Sequence, residues 1–177
     1  MKVSYWDKAV KDLSSKDKNL KDIILNSDNS FLEKSKDPFL TLFNSILGQQ
    51  ISVAAAASIK KKVTSIVNIN PHSINKVKPE LLKNCGVSRM KIEYLKDLSS
   101  KIIDKTIIFE EMYSMSDDEV IKYLTLVKGI GTWTAEMFMI FHLGRSNIFP
   151  VKDIGIINSL VKIYGEDKKN INFKKYY

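Results

Sequence analysis

Cysteine is almost absent from this 177-residue sequence, in which Cys85 is the only one. One thiol cannot form an intramolecular disulfide, a four-cysteine zinc site or a four-cysteine iron–sulfur cluster. Long apolar runs are also missing, because no stretch approaches the ~18 residues that a membrane-spanning helix needs, and the N-terminus has no signal-peptide pattern. We therefore expect a cytoplasmic protein with no membrane partner, no disulfide and no iron–sulfur cluster.

Arginine is scarce as well, since Arg89 and Arg145 are the only two, although the formal net charge is +8 and the pI is near 9.4. Lysine carries nearly all of the positive charge. Lysines bound to phosphates gain free energy by releasing counterions, so this charge suits a polyanionic partner. Biased codon usage can produce the same composition, so the charge permits a nucleic-acid partner without establishing one.

Strand-like alternation is rare, and helical apolar spacing recurs along the whole chain. The segments with this spacing are SYWDKAVKDLSS, NLKDIILNS, PFLTLFNSIL, SVAAAASIKKKVTSIV, PELLKNCG, RMKIEYLKDLSSKII, DDEVIKYLTLVKG, TWTAEMFMIFHLG and DIGIINSLVKIYG. Only KTIIFEEM resembles a strand, and one isolated strand cannot build a sheet. The sequence predicts an all-α fold in a single domain over residues 1–177, with the polar segment Asn68 to Pro79 as a linker or surface loop.

Residues typical of helix ends support these boundaries. Prolines are favoured at the first helical position, serines at N-caps and glycines after the last turn. The predicted signals are Pro38 and Pro79 at helix starts, Ser52 and Ser88 as N-caps, Gly86, Gly129, Gly144 and Gly165 as C-caps, and Ser116 with Glu119 as a capping box.

The segment VKGIGTWTAEM predicts a helix, a tight glycine turn and a second helix. Gly129 and Gly131 let the backbone reverse within a few residues, and we expect Thr132 to cap the helix that follows. The amide groups at the start of that helix would form an anion site that suits a DNA phosphate. An ordinary corner between two helices explains the glycines equally well.

Trp133 begins an apolar stripe that continues through Met137, Ile140 and Phe141 at helical spacing. Such stripes usually belong to the core, and core is the first interpretation for the later members. Trp133 differs because it lies in the first turn, where its ring could face a pocket. Met137 and Phe141 share its stripe and are candidate walls of that pocket.

Asp153 precedes the apolar helix DIGIINSLVKIYG, where an N-cap aspartate is common. The helix from Trp133 carries the chain away by ~16 Å, and the connection after it can span up to ~30 Å, so Asp153 can return to Trp133. The carboxylate would then be a fixed negative charge beside an aromatic pocket.

The pair LVKGIGTWTAEM and FPVKDIG resembles the helix-hairpin-helix and Gly-Pro-Asp signature of base-excision DNA glycosylases. More narrowly, the sequence is similar to the 3-methyladenine DNA glycosylase II family, whose pattern extends from about Tyr5 to Tyr164 and includes DPFLTLFNSILGQQISVAAAASI. The resemblance implies a two-lobed all-α fold with a DNA-binding cleft, a hairpin and catalytic segment at residues 120–164, and Asp153 as the catalytic residue.

The resemblance also implies a reaction. Superfamily members that cleave the DNA backbone carry a lysine nucleophile at the position of Trp133, and tryptophan cannot form a Schiff base. The implied activity is therefore monofunctional hydrolysis of the N-glycosidic bond of an alkylated purine, with Asp153 stabilising the oxocarbenium-like sugar. Trp133 would stack on the cationic base, and such a cation–π contact contributes ~0.5 to 2 kcal/mol of binding free energy. Lys152 stands where the family often has an acidic residue.

Double-stranded DNA is the implied partner, and the protein is expected to be a monomer. The resemblance also suggests which residues bind the DNA. Gln50, in the stretch GQQIS, would be the wedge that fills the space of the flipped nucleotide, although a kink at Gly48 explains this stretch too. The other candidate DNA-binding residues are Ser88, Arg89, Lys91, Lys128, Gly129, Gly131, Thr132 and Thr134. Ser88 and its neighbours could equally be a solvated helix start. Main-chain carbonyls of Thr125, Val127 and Ile130 would hold a monovalent cation, Na⁺ or K⁺.

Two alternatives to this activity remain open at the level of sequence. One is the same scaffold acting on another damaged base, and another is a DNA-binding protein without catalytic activity. Family members usually continue beyond NINFKKYY with a helix that packs near the pocket, so the sequence could be truncated at its C-terminus. His72 and His142 are expected to be a loop residue and a hydrogen-bonded interior residue, not metal ligands.

Overall fold

A computed structural model describes residues 2–28 and 30–176, and the regular structure in these residues is helical. The α-helices are α1 (Trp6–Lys16), α2 (Lys18–Leu25), α3 (Pro38–Gly48), α4 (Val53–Thr64), α5 (Pro71–Lys76), α6 (Pro79–Asn84), α7 (Arg89–Ile103), α8 (Asp117–Leu124), α9 (Thr132–Phe138) and α10 (Ile154–Tyr164). The all-α prediction is confirmed. None of the helices described is both long enough and apolar enough to cross a membrane.

The core forms where α3, α7, α8 and α9 meet. Helix α3 contacts α4, α7 and α9, and α8 packs against α9. The fully buried side chains at this centre include Phe43, Leu47, Leu95, Leu124 and Phe138. The apolar stripes of four helices therefore bury one another, which fixes the turn between α8 and α9 on the edge of a rigid core.

Helix α5 corrects the prediction of a linker at residues 68–79. The Asn70 side chain caps it by accepting a hydrogen bond from the Ser73 amide at 2.9 Å, and Pro71 occupies its first turn. Ile74 is completely buried, and α5 packs along α7. A six-residue helix this polar is stable only through such tertiary packing.

The strand-like segment KTIIFEEM forms a 3-10 helix at Phe109–Tyr113. The one β-type pairing among the described residues is an isolated bridge between Lys2 and Glu33. Val3 also donates its amide to the Leu32 carbonyl at 3.1 Å. The N-terminal segment is therefore tied to the strand-like stretch that precedes α3.

Most of the predicted helix ends are confirmed. Ser52 and Ser88 are N-caps, Ser116 and Glu119 form a complete capping box, and Gly144 and Gly165 are left-handed C-caps. Gly86 follows the C-cap Cys85 by one residue. Gly129 is not a C-cap, because α8 ends at Leu124 and the chain makes a further turn before reaching it.

Helix α9 continues as one π-helical turn, Met139–Leu143, which ends at Gly144. His142 in this turn is buried, as expected, and both ring nitrogens have partners. Nδ1 lies 3.0 Å from the Ser35 carbonyl and Nε2 lies 3.3 Å from the Tyr113 hydroxyl. The Ser35 amide also donates to the Phe141 carbonyl at 2.7 Å, so the segment before α3 is fastened to this turn.

Candidate active site

Asp153 is the N-cap of α10, and both of its carboxylate oxygens are held. Oδ1 accepts hydrogen bonds from the amides of Gly155 at 2.8 Å and Ile156 at 3.0 Å. Oδ2 accepts one from the indole Nε1 of Trp133 at 2.7 Å. Three donors from two helices fix the orientation of this carboxylate, while Oδ2 keeps a lone pair for a further interaction.

The predicted return of Asp153 to Trp133 is confirmed by this contact, which joins residues 20 positions apart. The hydrogen bond itself was not predicted. Trp133 lies in the first turn of α9, and its half-buried ring presents its N–H edge to the carboxylate. The tryptophan therefore positions Asp153 through the edge of its ring, independently of any contact that the faces of the ring make.

Glu136 is a second carboxyl group at the site that sequence reasoning missed. It follows Trp133 by three residues, so both lie on the same side of α9, and it is half-buried. Burial raises its pKa, the charge of Lys152 lowers it, and the carboxylate of Asp153 raises it again. The spacing of three from Trp133 was the available signal. The site thus has two carboxyl groups and one exposed ammonium near the start of α10.

Helix α9 and its π-helical continuation have a buried side and an open side, and the stripe beginning at Trp133 lies on the open side. Phe138 and Met139 are completely buried, whereas Met137 is half-buried and 44% of Phe141 is exposed. Trp133, Met137 and Phe141 therefore form the outward face of α9 and its π-helical continuation. This arrangement is compatible with a pocket wall.

The two hairpin glycines are present for different reasons. Gly129 has a φ of +78°, and a Cβ there would lie 2.1 Å from the Tyr94 ring. Gly131 has an extended backbone with φ of −102°, and a Cβ there would meet nothing within 4 Å. The fold thus requires glycine at 129, while at 131 it leaves open space above the backbone, which allows a ligand to approach closely.

Two predictions about the hairpin threonines need correction. Gly131, not Thr132, is the N-cap of α9, and Thr132 is the first helical residue, with its side chain exposed. Thr134 is only 3% exposed, and its hydroxyl lies 3.5 Å from Nε2 of Gln49. The Thr134 side chain thus faces Gln49 inside the protein and offers almost no surface to DNA in this structure.

The turn after α3 is fastened to the hairpin. Gln49 donates from Nε2 to the Gly129 carbonyl at 2.9 Å. The next residue, Gln50, is exposed and has a φ of +57°, a conformation that is costly for a residue with a side chain. Gln49 was missed as a functional residue, yet it fixes the distance between the proposed wedge and the glycine turn.

The remaining predicted DNA-binding side chains have separate environments. Arg89 is 92% exposed and pairs with Glu93 at 3.2 Å, and Ser88 caps α7. Lys91 donates from Nζ to the Leu47 carbonyl at 2.7 Å, and burial lowers its pKa. This bond gives Lys91 a structural partner at the end of α3, beside the Gln49 turn.

Lys128 is exposed on the hairpin and lines a cleft beside it. That cleft, of about 760 Å³, also contains Arg89 and lies along α7, away from Asp153. The Lys128 amide donates to Oδ2 of Asp97 at 2.8 Å, so this amide is committed within the protein. Asp97, missed by sequence reasoning, therefore anchors the hairpin to α7.

The carbonyls of Thr125, Val127 and Ile130 belong to the turn between α8 and α9. The Val127 carbonyl accepts the Ile130 amide at 3.1 Å, which closes the turn. A carbonyl oxygen has two lone pairs, so this bond leaves it able to act as a ligand.

This combination of an all-helical core, a glycine hairpin and an aspartate at the following helix defines a class. The chain belongs to the HhH-GPD superfamily of base excision DNA repair proteins, whose sequence profile matches residues 43–175.

Its relatives carry more particular names. It is 36% identical over 135 residues to DNA-3-methyladenine glycosylase 1 of Schizosaccharomyces pombe, an alignment that covers 73% of this chain and 59% of the relative. It is 33% identical over 184 residues to DNA-3-methyladenine glycosylase of Saccharomyces cerevisiae, covering 94% of this chain and 62% of the relative. The chain thus spans about three fifths of the length of these two relatives.

Solved structures give the same assignment. The 3-methyladenine DNA glycosylase of S. pombe, in complex with abasic DNA, superimposes with a TM-score of 0.83 at 30% identity over 96% of this chain and 87% of that chain. A DNA-3-methyladenine glycosidase from Bacillus halodurans gives a TM-score of 0.76 at 35% identity, over 90% and 76% of the two chains.

Proposed function

We propose that this chain is a monofunctional DNA glycosylase that hydrolyses the N-glycosidic bond of alkylated purines in double-stranded DNA. The observation that carries the proposal is the Asp153 carboxylate, held by two backbone amides and by the Trp133 indole. An oriented carboxylate is the group that an oxocarbenium-like transition state needs. The names of the relatives indicate the same chemistry.

Asp153 would act at the sugar. Its preorganised negative charge stabilises the positive charge that develops on the sugar ring, and the remaining lone pair on Oδ2 can orient or deprotonate the attacking water. An alkylated purine already carries positive charge, so it leaves without a strong general acid. Deprotonated Glu136 would add a second negative charge at the same end of α10.

Trp133 is proposed to serve both the base and the carboxylate. Its N–H edge is used by Asp153, and the ring is only half-buried, which suits stacking on a cationic purine. Because tryptophan offers no amine, a Schiff base with the abasic sugar cannot form at this position. The product would therefore be an intact strand with an abasic site.

DNA would be held by the hairpin and by the turn after α3. The open backbone at Gly131 and the exposed residues Thr132 and Lys128 suit a phosphate, and the carbonyls of Thr125, Val127 and Ile130 suit a monovalent cation beside it. Exposed Gln50, tied to the hairpin through Gln49, is placed to occupy the space that a flipped nucleotide leaves.

The test is incubation of the protein with methylated duplex DNA and identification of released bases, with Asp153→Asn as the matched variant. Asparagine is also a good N-cap, so the variant keeps α10 while losing the charge. We expect release of methylated purines by the parent and at least a hundredfold slower release by the variant, since ~3 kcal/mol of transition-state stabilisation is typical. Release of another damaged base, or DNA binding without release, would favour the alternatives instead.

The absence of lyase activity has its own test. Borohydride reduces a Schiff base to a stable protein–DNA adduct, so incubation with abasic DNA and borohydride should leave the protein uncrosslinked. A covalent adduct would contradict the monofunctional assignment. If an adduct forms, Lys152→Met is the variant that identifies the exposed lysine beside Asp153 as its source.

A further inference from the structure

One side of α7 contacts both of the turns that are proposed to hold DNA. Nζ of Lys91 donates to a carbonyl at the end of α3 at 2.7 Å, beside the turn that carries the proposed wedge. Three residues later, the Tyr94 ring packs directly against Gly129, where an added Cβ would lie 2.1 Å from it. After three more residues, Oδ2 of Asp97 accepts a hydrogen bond from the Lys128 amide at 2.8 Å. Side chains three apart are neighbours on a helix surface, so α7 is a common support for both turns.

Asp97 is ionised, and its two carboxylate oxygens have different partners. Oδ1 accepts a hydrogen bond from Nζ of Lys101 at 2.7 Å, and only 17% of the Asp97 side chain and 22% of the Lys101 side chain are exposed. Burial favours the neutral acid, but the hydrogen bonds from Lys101 and from the Lys128 amide outweigh it, so the pKa of Asp97 is below its ordinary value. The carboxylate is thus a permanent hydrogen-bond acceptor for the hairpin at neutral pH.

A carboxylate at this place needs a counter-charge, because the hairpin is proposed to hold a phosphate. An unpaired negative charge would repel the DNA backbone. Lys101 is four residues after Asp97, on the same face of α7, and its ammonium cancels that charge. The amide of Gly129, one residue beyond the anchored amide, makes no hydrogen bond to any residue that the structure describes. The anchor therefore uses one amide of the hairpin and leaves the next one available to a ligand.

We infer that Asp97 is a positioning residue for DNA binding, which fixes the hairpin against α7 through the Lys128 amide while Lys101 neutralises its charge. The inference rests on the proposed function, in which the hairpin holds the DNA backbone. Without the anchor, the hairpin would have to be ordered when DNA binds, and that loss of conformational freedom lowers the affinity. Asp97 lines the cleft along α7, away from Asp153, so the chemical step should be unaffected.

The experiment measures affinity for an abasic duplex by fluorescence anisotropy, and the single-turnover rate of base release from methylated DNA at saturating enzyme. Asp97→Ala deletes the acceptor, and we expect its affinity to fall roughly fivefold with the rate unchanged, the size expected for one lost hydrogen bond. Asp97→Asn retains a side-chain oxygen that accepts the Lys128 amide, so its affinity should return to within about twofold of the parent. Asp22→Ala, which makes the same change of charge at an exposed position of α2, should not weaken binding.

A third variant, Lys101→Met, tests the counter-charge. It keeps the anchor but leaves the carboxylate unpaired near the phosphate, so its affinity should fall at low salt. The deficit should narrow as the salt concentration rises, because salt screens the repulsion. Lys11→Met removes the same charge from α1 and should show a smaller loss.

The outcomes separate this inference from the proposed function. A parent that releases no methylated purine overturns the proposed function, whereas binding to the abasic duplex requires no catalysis and still tests the inference. The inference alone is overturned if Asp97→Ala binds as tightly as the parent, if its rate of release falls as much as its affinity, or if Asp97→Asn binds as weakly as Asp97→Ala. Urea unfolding shows which variants are folded. Should Asp97→Ala not fold, equal affinities of Lys101→Met and Lys11→Met at low salt would overturn the inference.

Discussion

At the scale of single residues, the side chain of Trp133 has two proposed functions, stacking on the base and donating a hydrogen bond to Asp153. Removal of the indole N–H separates them. Trp133→Phe keeps an aromatic face for the base and deletes the donor to Asp153. A hydrogen bond to a charged acceptor contributes ~1.5–3 kcal/mol, so we expect base release to slow by roughly tenfold or more. Single-turnover kinetics on methylated DNA measure this rate.

The matched control is Trp6→Phe, which changes the other tryptophan, in α1. It should leave the rate unchanged. Affinity for abasic duplex DNA should be nearly the same in both variants, because neither removes a DNA-holding group. A Trp133→Phe enzyme as fast as the parent would show that Asp153 needs no support from the indole.

The two hairpin glycines give a second prediction at this scale. Gly129→Ser should lower the free energy of unfolding by more than ~1 kcal/mol, because a side chain at φ +78° is strained and its Cβ meets the Tyr94 ring. Gly131→Ser should fold as stably as the parent, since serine is a good N-cap and the space is open. Urea unfolding measures both.

Although Gly131→Ser should not affect stability, we expect it to weaken DNA binding. If a phosphate approaches this backbone closely, Gly131→Ser loses affinity for abasic duplex DNA while keeping its stability. Fluorescence anisotropy with a labelled duplex measures the affinity. Unchanged affinity would place the phosphate elsewhere on the hairpin.

Sequence could identify Asp153 and Trp133 as neighbours because chain reach and an N-cap pattern are properties of the backbone. It could not show the hydrogen bond between them, which depends on side-chain torsions set by packing around α9. For Thr134 the sequence pattern was misleading for the same reason. Its position in the motif indicated DNA, but the rotation of α9 against α3 buries it.

At the scale of elements, α5 shows which helices the sequence could not indicate. Its Asn70 cap and Pro71 start are helix signals, but Pro, His, Ser and Asn in six residues are also typical of a loop. Packing of Ile74 against α7 decides between them, and that contact joins separate parts of the chain. The long apolar helices needed no such contact, because their periodicity alone predicted them.

The π-helical turn gives the prediction for elements. Burial lowers the pKa of His142, and nearby Lys34 lowers it further, although the Ser35 carbonyl opposes the shift. The folded state therefore binds fewer protons than the unfolded state as pH falls below the ordinary value of 6.5. The contribution of His142 to stability is complete above that pH and declines as the pH falls toward the lowered pKa.

Unfolding by urea between pH 8 and pH 5 checks this sign. We expect His142→Gln to be less stable than the parent at pH 8, with the difference narrowing toward pH 5. His72→Gln, which changes an exposed side chain of α5, is the control variant. A difference that is constant with pH would mean that His142 titrates alike in both states.

At the scale of the whole molecule, the net charge of +8 predicts that affinity for DNA falls as the salt concentration rises. Each phosphate neutralised contributes a slope of ~−0.9 to log K against log salt concentration, so two or three contacts predict a loss of at least roughly tenfold between 50 and 200 mM salt. A slope near zero would mean that the lysine surplus does not face DNA.

The position of the contacting charges can be tested within the same measurement. Lys128 projects from the hairpin and Lys11 from α1, and both side chains are exposed. Lys128→Gln should make the salt slope shallower by about 1, because one phosphate contact is lost, whereas Lys11→Gln should leave it unchanged. Equal effects of the two variants would mean that affinity follows the total charge of the molecule, and the hairpin would then have no special part in holding DNA.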